Sequence, residues 1–143
     1  MEQVPQELNW VKVRAECTIR SIFKQLRHEI EVDVARRNEY LSDSQRGKGI
    51  KFSVEEKDDE SFVVYRNEPG ITASVSFAII GSYIKTIDPK GTATMEVTVG
   101  MNDTGRCMLR VYPSEIEKAR VVEIENWLFR KKALEGLFFT AWS

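Results

Sequence analysis

The sequence predicts an α+β fold. An antiparallel meander of about six strands, residues 50–112, is flanked by a long N-terminal helix and a C-terminal helix. Three observations carry this. Apolar residues recur every three or four positions up to Leu41, the period drops to two from Ile50 onward, and short Gly- or Pro-bearing turns separate the alternating runs.

In the first region Ile19, Ile22, Phe23, Leu26, Ile30, Val34 and Leu41 fall on one helical stripe. No Gly or Pro interrupts the chain there, so the spacing predicts a single helix over about 9–41, with Ser42 to Gly49 as the loop that follows. Residues 10–17 also satisfy a strand pattern, because Val11, Val13, Ala15 and Cys17 alternate with Lys12, Arg14 and Glu16.

The strands follow in order. Ile50, Phe52 and Val54 alternate with Lys51, Ser53 and Glu55, and the charged turn Glu56 to Glu60 leads into Ser61 to Arg66. Asn67-Glu68-Pro69-Gly70 turns the chain into Ile71, Ala73, Val75, Phe77 and Ile79, which share one face. Gly81-Ser82 precedes Tyr83 to Ile87, and Asp88-Pro89-Lys90-Gly91 precedes Ala93, Met95, Val97 and Val99. Met101 to Gly105 closes a hairpin onto Cys107, Leu109 and Val111. Short turns between successive strands mean antiparallel neighbours with one wet and one covered face.

Pro113 ends the last strand, and Ser114-Glu115-Ile116-Glu117 has the form of a capping box. Val121, Ile124, Trp127, Leu128 and Phe138 fall on one side of a helix drawn from there, with Lys131 and Glu135 near its centre. A short seventh strand over residues 120–124, with the helix starting near Asn126, is the alternative. The dry face of the sheet needs a cover, and the two helices supply it from the concave side. A small barrel with a C-terminal helix, or a sheet wrapped round a cavity under a helical lid, uses the same elements.

At 143 residues the chain is expected to be one domain, 1–143. Hydrophobic residues at 42% and charged residues at 30% place it among folded proteins rather than disordered ones. Lys+Arg number 21 and Asp+Glu 22, so there is no basic excess to hold nucleic acid. The polar start, Met1 to Glu7, lacks the basic and apolar regions of a secretory signal, and no run is apolar enough for a membrane span. A cytoplasmic location is the expectation. Cys17 and Cys107 are then expected as free buried thiols in a reducing medium, a bridge between them being the alternative.

Chemistry is thinly signalled. His28 is the one histidine and sits mid-helix without partners in sequence, so it reads as a partly exposed helix residue. No HExxH, GxSxG or CxxC occurs, which excludes the usual zinc and serine-hydrolase patterns; no metal site and no cofactor is expected. Arg46-Gly47-Lys48-Gly49 precedes a strand, whereas a phosphate loop opens a helix. The acidic run from Glu55 to Glu60 lacks calcium-loop spacing and reads as a solvated hairpin tip.

Asp33 and Glu96 are the acids worth inspecting for a desolvated carboxyl, and both read as structural or solvated. Arg20, Lys24 and Arg27 form a positive helical face flanked by Glu16 and Glu31. Arg130-Lys131-Lys132 is expected late in the last helix, complementing its carbonyl end.

The tail is unusually apolar. Phe138, Phe139 and Trp142 either dock on their own domain or meet a partner, with Trp10 as a companion. The leading expectation is a non-enzymatic accessory protein that binds a protein partner or itself, using these aromatics and one sheet edge. The alternative is a carrier of a small apolar ligand, its pocket lined by Phe52, Phe62, Phe77, Met95 and Leu109. An enzyme using carboxylates and tyrosines is the third class.

Overall fold

A computed structural model describes residues 7–111 and 122–139. It contains helices α1 (Trp10–Glu16), α2 (Ile19–Glu39) and α3 (Asp43–Gly47), then strands β1 (Lys51–Asp58), β2 (Ser61–Glu68), β3 (Ile71–Ile80), β4 (Tyr83–Ile87), β5 (Ala93–Met101), β6 (Cys107–Val111) and β7 (Val122–Ile124), and finally helix α4 (Asn126–Phe139). The seven strands form one sheet in sequence order, each antiparallel to the next. The expected α+β meander is therefore present, with β7 as a seventh strand. The capping box drawn at Ser114 lies outside the described residues.

The single N-terminal helix is corrected to two. Thr18 adopts an extended conformation, φ −118° and ψ 154°, and its side chain accepts from the Ser21 amide at 3.2 Å, so a new helix starts there without any Gly or Pro. Cys17, just before the break, is bonded to Cys107 on β6 across 90 residues of sequence. The thiols expected to be free are joined, and α1 is fixed to the far end of the sheet. Leu8 strengthens that attachment by lying over Gly105, whose φ of +81° suits glycine and whose missing Cβ leaves Leu8 its space. The loop expected at 42–49 contains the short helix α3, where Ser42 and Gln45 satisfy each other's backbone amides.

The core lies between the sheet and the two long helices. From α2 come Phe23, Leu26, Ile30 and Val34; from the strands Phe52, Phe62, Val64, Phe77, Ile84, Val97 and Leu109; from α4 Phe129, Leu134, Leu137 and Phe138. Burying each of these large side chains contributes about 1.5–3 kcal/mol. Register aligns them: Phe62 faces Phe77, Val64 lies between Val54 and Val75, and Ile84 faces Val97. Phe62 and Phe77 stack at 4.9 Å between ring centres, with Phe23 at 5.2 Å on one side and Phe129 at 6.3 Å on the other.

At the edge of the sheet, β1 is closed by a side chain of α2. The Asn38 amide donates to the Phe52 carbonyl and accepts from the Phe52 N–H, each at 2.9 Å. One side chain thus satisfies both backbone groups that an edge strand would otherwise offer to a stranger.

Of the two outlines expected for the final helix, the one with a short strand near 120–124 and a start near Asn126 is observed, within the described residues. Ile124 belongs to β7 and is buried there, and the inward face of α4 is Phe129, Leu134, Leu137 and Phe138. Trp127 points away, 58% exposed. Lys131 and Glu135 form an exposed ion pair at 2.5 Å, one helical turn apart.

Candidate functional site

Where α2 and α4 run beside each other their outer faces leave an open groove of about 690 Å³. From α2 and its C-terminal cap it is lined by Asp33, Arg36, Arg37 and Tyr40; from α4 by Trp127, Arg130, Lys131, Leu134, Glu135, Phe138 and Phe139. Tyr40, Trp127 and Phe139 are all more than half exposed, so three aromatic rings face solvent around one depression.

The charges in the groove divide into two sets. Arg130 is committed: it donates to Asp33 and to Asn126 at 2.7 Å and forms an ion pair with Glu29 at 3.2 Å, so it ties α4 to α2. Lys131 is paired with Glu135. The second set is Arg36, exposed on the rim, and Arg37, which is 7% exposed. Arg37 continues the buried stripe of α2 from Val34, so the helix carries a cation where its period calls for an apolar residue.

Arg37 is held from three directions. Its Nε donates to the Phe138 carbonyl at 2.8 Å, and its guanidinium carbon lies 4.5 Å from the centre of the Phe139 ring and 5.2 Å from that of Phe52. Burial holds its pKa below the usual arginine value, and the neighbouring Arg66 cation lowers it further. Arg66 is itself buried on the dry face of β2; it donates to the Leu137 carbonyl at 3.4 Å and pairs with Glu68 at 3.3 Å. Two guanidinium groups thus meet consecutive carbonyls at the end of α4, where the helix dipole is negative. Neither Nη of Arg37 has a hydrogen-bond acceptor among the described residues.

This arrangement corrects the expected role of Arg130-Lys131-Lys132. Those residues stand in the first half of α4, whose last turn contains no basic residue, and the carbonyl end is served by Arg37 and Arg66 from other elements.

The other expected site residues separate. Phe138 belongs mostly to the core, 7% exposed, with its ring 5.1 Å from Phe52, and contributes to the groove lining only with what remains accessible. Phe139 is 65% exposed and lines the groove. Trp10 is exposed on α1 and does not line the groove, so the two ends are not companions at this site. Trp142 lies outside the described residues. Sequence reasoning missed Arg36, Arg37, Tyr40 and Trp127 as a group.

Of the expected apolar pocket, Phe52, Phe62, Phe77 and Leu109 are buried against one another and the helices, while Met95 lines a separate groove near β7. The aromatic packing fills the space in which that pocket was drawn.

His28 is exposed on α2, as expected. Asp33 is a partner of Arg130, and Glu96 is exposed and paired with Lys85 at 3.2 Å. The acidic tip is solvated, as expected, with Glu55 to Asp59 exposed, and two of its carboxylates make surface ion pairs with α2: Glu60 meets Arg20 at 2.6 Å and Glu56 meets Arg27 at 2.7 Å. Among the described residues no three His, Cys, Asp or Glu side chains are grouped to hold a metal ion, and no helix is long and apolar enough to cross a membrane.

No protein-family model matches the chain, and neither the curated proteins nor the solved structures provide a match. The functional reading therefore rests on the groove itself.

Proposed function

We propose that this chain is a non-enzymatic accessory protein that works by protein–protein binding, and that the groove between α2 and α4 is its binding face. The observation that carries this is the exposure of Trp127 and Phe139, 58% and 65%, on either side of a concavity that also holds an almost fully buried arginine. Trp, Tyr and Arg are the residue types that dominate binding energy at protein interfaces, and they do so where a pocket lets the partner exclude water. Trp127 and Phe139 stand on the side of α4 away from the core, and more than half of each is left to solvent.

A small apolar ligand suits the groove less well. Such ligands have about 70–90% of their surface enclosed, whereas this groove is open along its length and its aromatics are separated by charged side chains. A polypeptide can leave its outer side in water while inserting single side chains. The edge of β1 is a poorer binding face, because Asn38 already occupies the backbone of Phe52.

A cytoplasmic location, expected from the sequence, sits poorly with the Cys17–Cys107 bond, since such bonds persist mainly in oxidising media.

The test is selection of a random dodecapeptide library on the immobilised protein, with the Trp127→Ala/Phe139→Ala variant as control, alongside sedimentation of both proteins. Peptides enriched on the wild type and lost on the variant support the reading, as does self-association that the variant abolishes. Neither effect, or the same behaviour in both proteins, refutes it.

A further inference from the structure

Which partner the groove takes is written in its charges. Among the described residues its ion pairs consume Asp33, Arg130, Lys131 and Glu135 and leave two cations, Arg36 on the rim and Arg37 on the floor. Arg37 is held in place before any partner arrives. Its Nε is fixed to the Phe138 carbonyl, and the rings of Phe52 and Phe139 flank its guanidinium. A guanidinium anchored this way has little side-chain freedom left to lose on binding, and its two Nη groups, with no acceptor among the described residues, form a planar fork that fits a carboxylate.

Resting on the binding reading above, we infer that the partner is an acidic segment of a different polypeptide, with a carboxylate seated on the Nη groups of Arg37 beside Arg36, one apolar side chain against Phe139 and another against Trp127, about 18 Å away along α4.

A second copy of this chain fits less well. A two-fold contact through the groove presents the same surface from both sides, bringing Arg36 and Arg37 toward their own copies. In the chain's own acidic run, Glu60 and Glu56 are already engaged with Arg20 and Arg27 on α2. A nucleic acid needs a longer track of uncommitted cations than two.

The experiment continues the peptide selection. The best groove-dependent peptide is synthesised in its selected form and with every Asp and Glu replaced by Asn and Gln, and both are titrated by fluorescence anisotropy at low and high salt. The selected peptides are expected to be enriched in Asp or Glu next to an aromatic or aliphatic residue. Neutralising the acids is expected to weaken binding about tenfold or more, as is Arg36→Glu, an exposed change that leaves the core untouched. Arg37→Lys keeps the charge but removes the planar fork, and is expected to weaken the acidic peptide while leaving the neutral one unchanged. Its thermal unfolding reports separately on the cap it makes for α4.

Groove-dependent peptides without acidic enrichment, or equal affinity for the acidic and amide forms, overturn the inference while leaving the binding face in place. So does a dimer that Trp127→Ala/Phe139→Ala dissociates. Absence of any groove-dependent binding overturns both.

Discussion

Arg37 donates from Nε to the carbonyl of Phe138 at 2.8 Å, and through this one bond a buried cation on α2 fixes the end of α4. The two residues are 101 positions apart in sequence. The bond seats Phe138 in the core against Phe52 and leaves the next residue, Phe139, facing the groove. Core closure and the exposed aromatic therefore have a common cause. Arg37→Ala is expected to lower stability by about 2–3 kcal/mol, the scale for a buried hydrogen bond to a charged group. Urea unfolding followed by circular dichroism measures it, and loss of protection in amide exchange at the end of α4 locates it.

The Cys17–Cys107 bond closes a segment of 90 residues that includes α2 and the first five strands. Chain-entropy arguments give about 4–5 kcal/mol for a loop of that length. Cys17→Ser/Cys107→Ser is expected to show most of that loss in denaturant unfolding, and reduction of the wild type should reproduce it. Detachment of α1 should precede unfolding of the sheet, because α1 has no buried residue of its own.

Asn38→Ala removes a donor and an acceptor from the backbone of Phe52 at the open edge of the sheet. A cost of about 1–3 kcal/mol is expected from the unmet backbone groups. Increased aggregation, read by light scattering on prolonged incubation, is expected to accompany it, since the edge is then free to pair.

On the surface of β1 a hydrogen bond and charge attraction from Lys57 hold the Glu55 carboxyl below its ordinary pKa, and Glu55 in turn raises that of Lys57. The sign follows from linkage. A depressed carboxyl pKa stabilises the folded state at neutral pH, and that contribution fades as pH falls through the folded pKa below the usual carboxylate range. The raised Lys57 pKa contributes at neutral pH and is lost as pH rises through it. Carboxyl-detected NMR titration should show Glu55 titrating below the ordinary glutamate value, and Lys57→Met should move it back toward that value.

Much of the fold was legible because its signals are local. The alternation from Ile50 to Val111 and the turns at Pro69-Gly70 and Pro89-Lys90-Gly91 mark six strands in their observed places, and the stripe from Phe23 to Val34 marks the buried face of α2. The break at Thr18 was hidden because a side-chain cap ends a helix as effectively as proline while resembling any polar residue. The face of α4 was misdrawn because its sequence is apolar on two sides, with Phe129 and Leu134 turned inward and Trp127 and Phe139 outward; periodicity cannot choose between them.

The site was less legible, yet it left a trace. Arg37 stands where the stripe of α2 calls for an apolar residue, between Val34 and Leu41. Arg66 likewise follows Phe62 and Val64 on the dry face of β2. Both cations break the pattern at positions that meet the end of α4, a contact set by tertiary packing that no local rule contains.

We propose the α2–α4 groove as the surface through which this protein binds its partner. The most direct measurement is amide chemical-shift mapping of the isotopically labelled protein during titration with the acidic peptide selected on it. The account predicts shifts clustered at Asp33 to Tyr40 and Trp127 to Phe139, with the Trp127 indole signal among the largest, and no such shifts in the Trp127→Ala/Phe139→Ala variant. Shifts centred instead on α1 or on the β1 edge would contradict it.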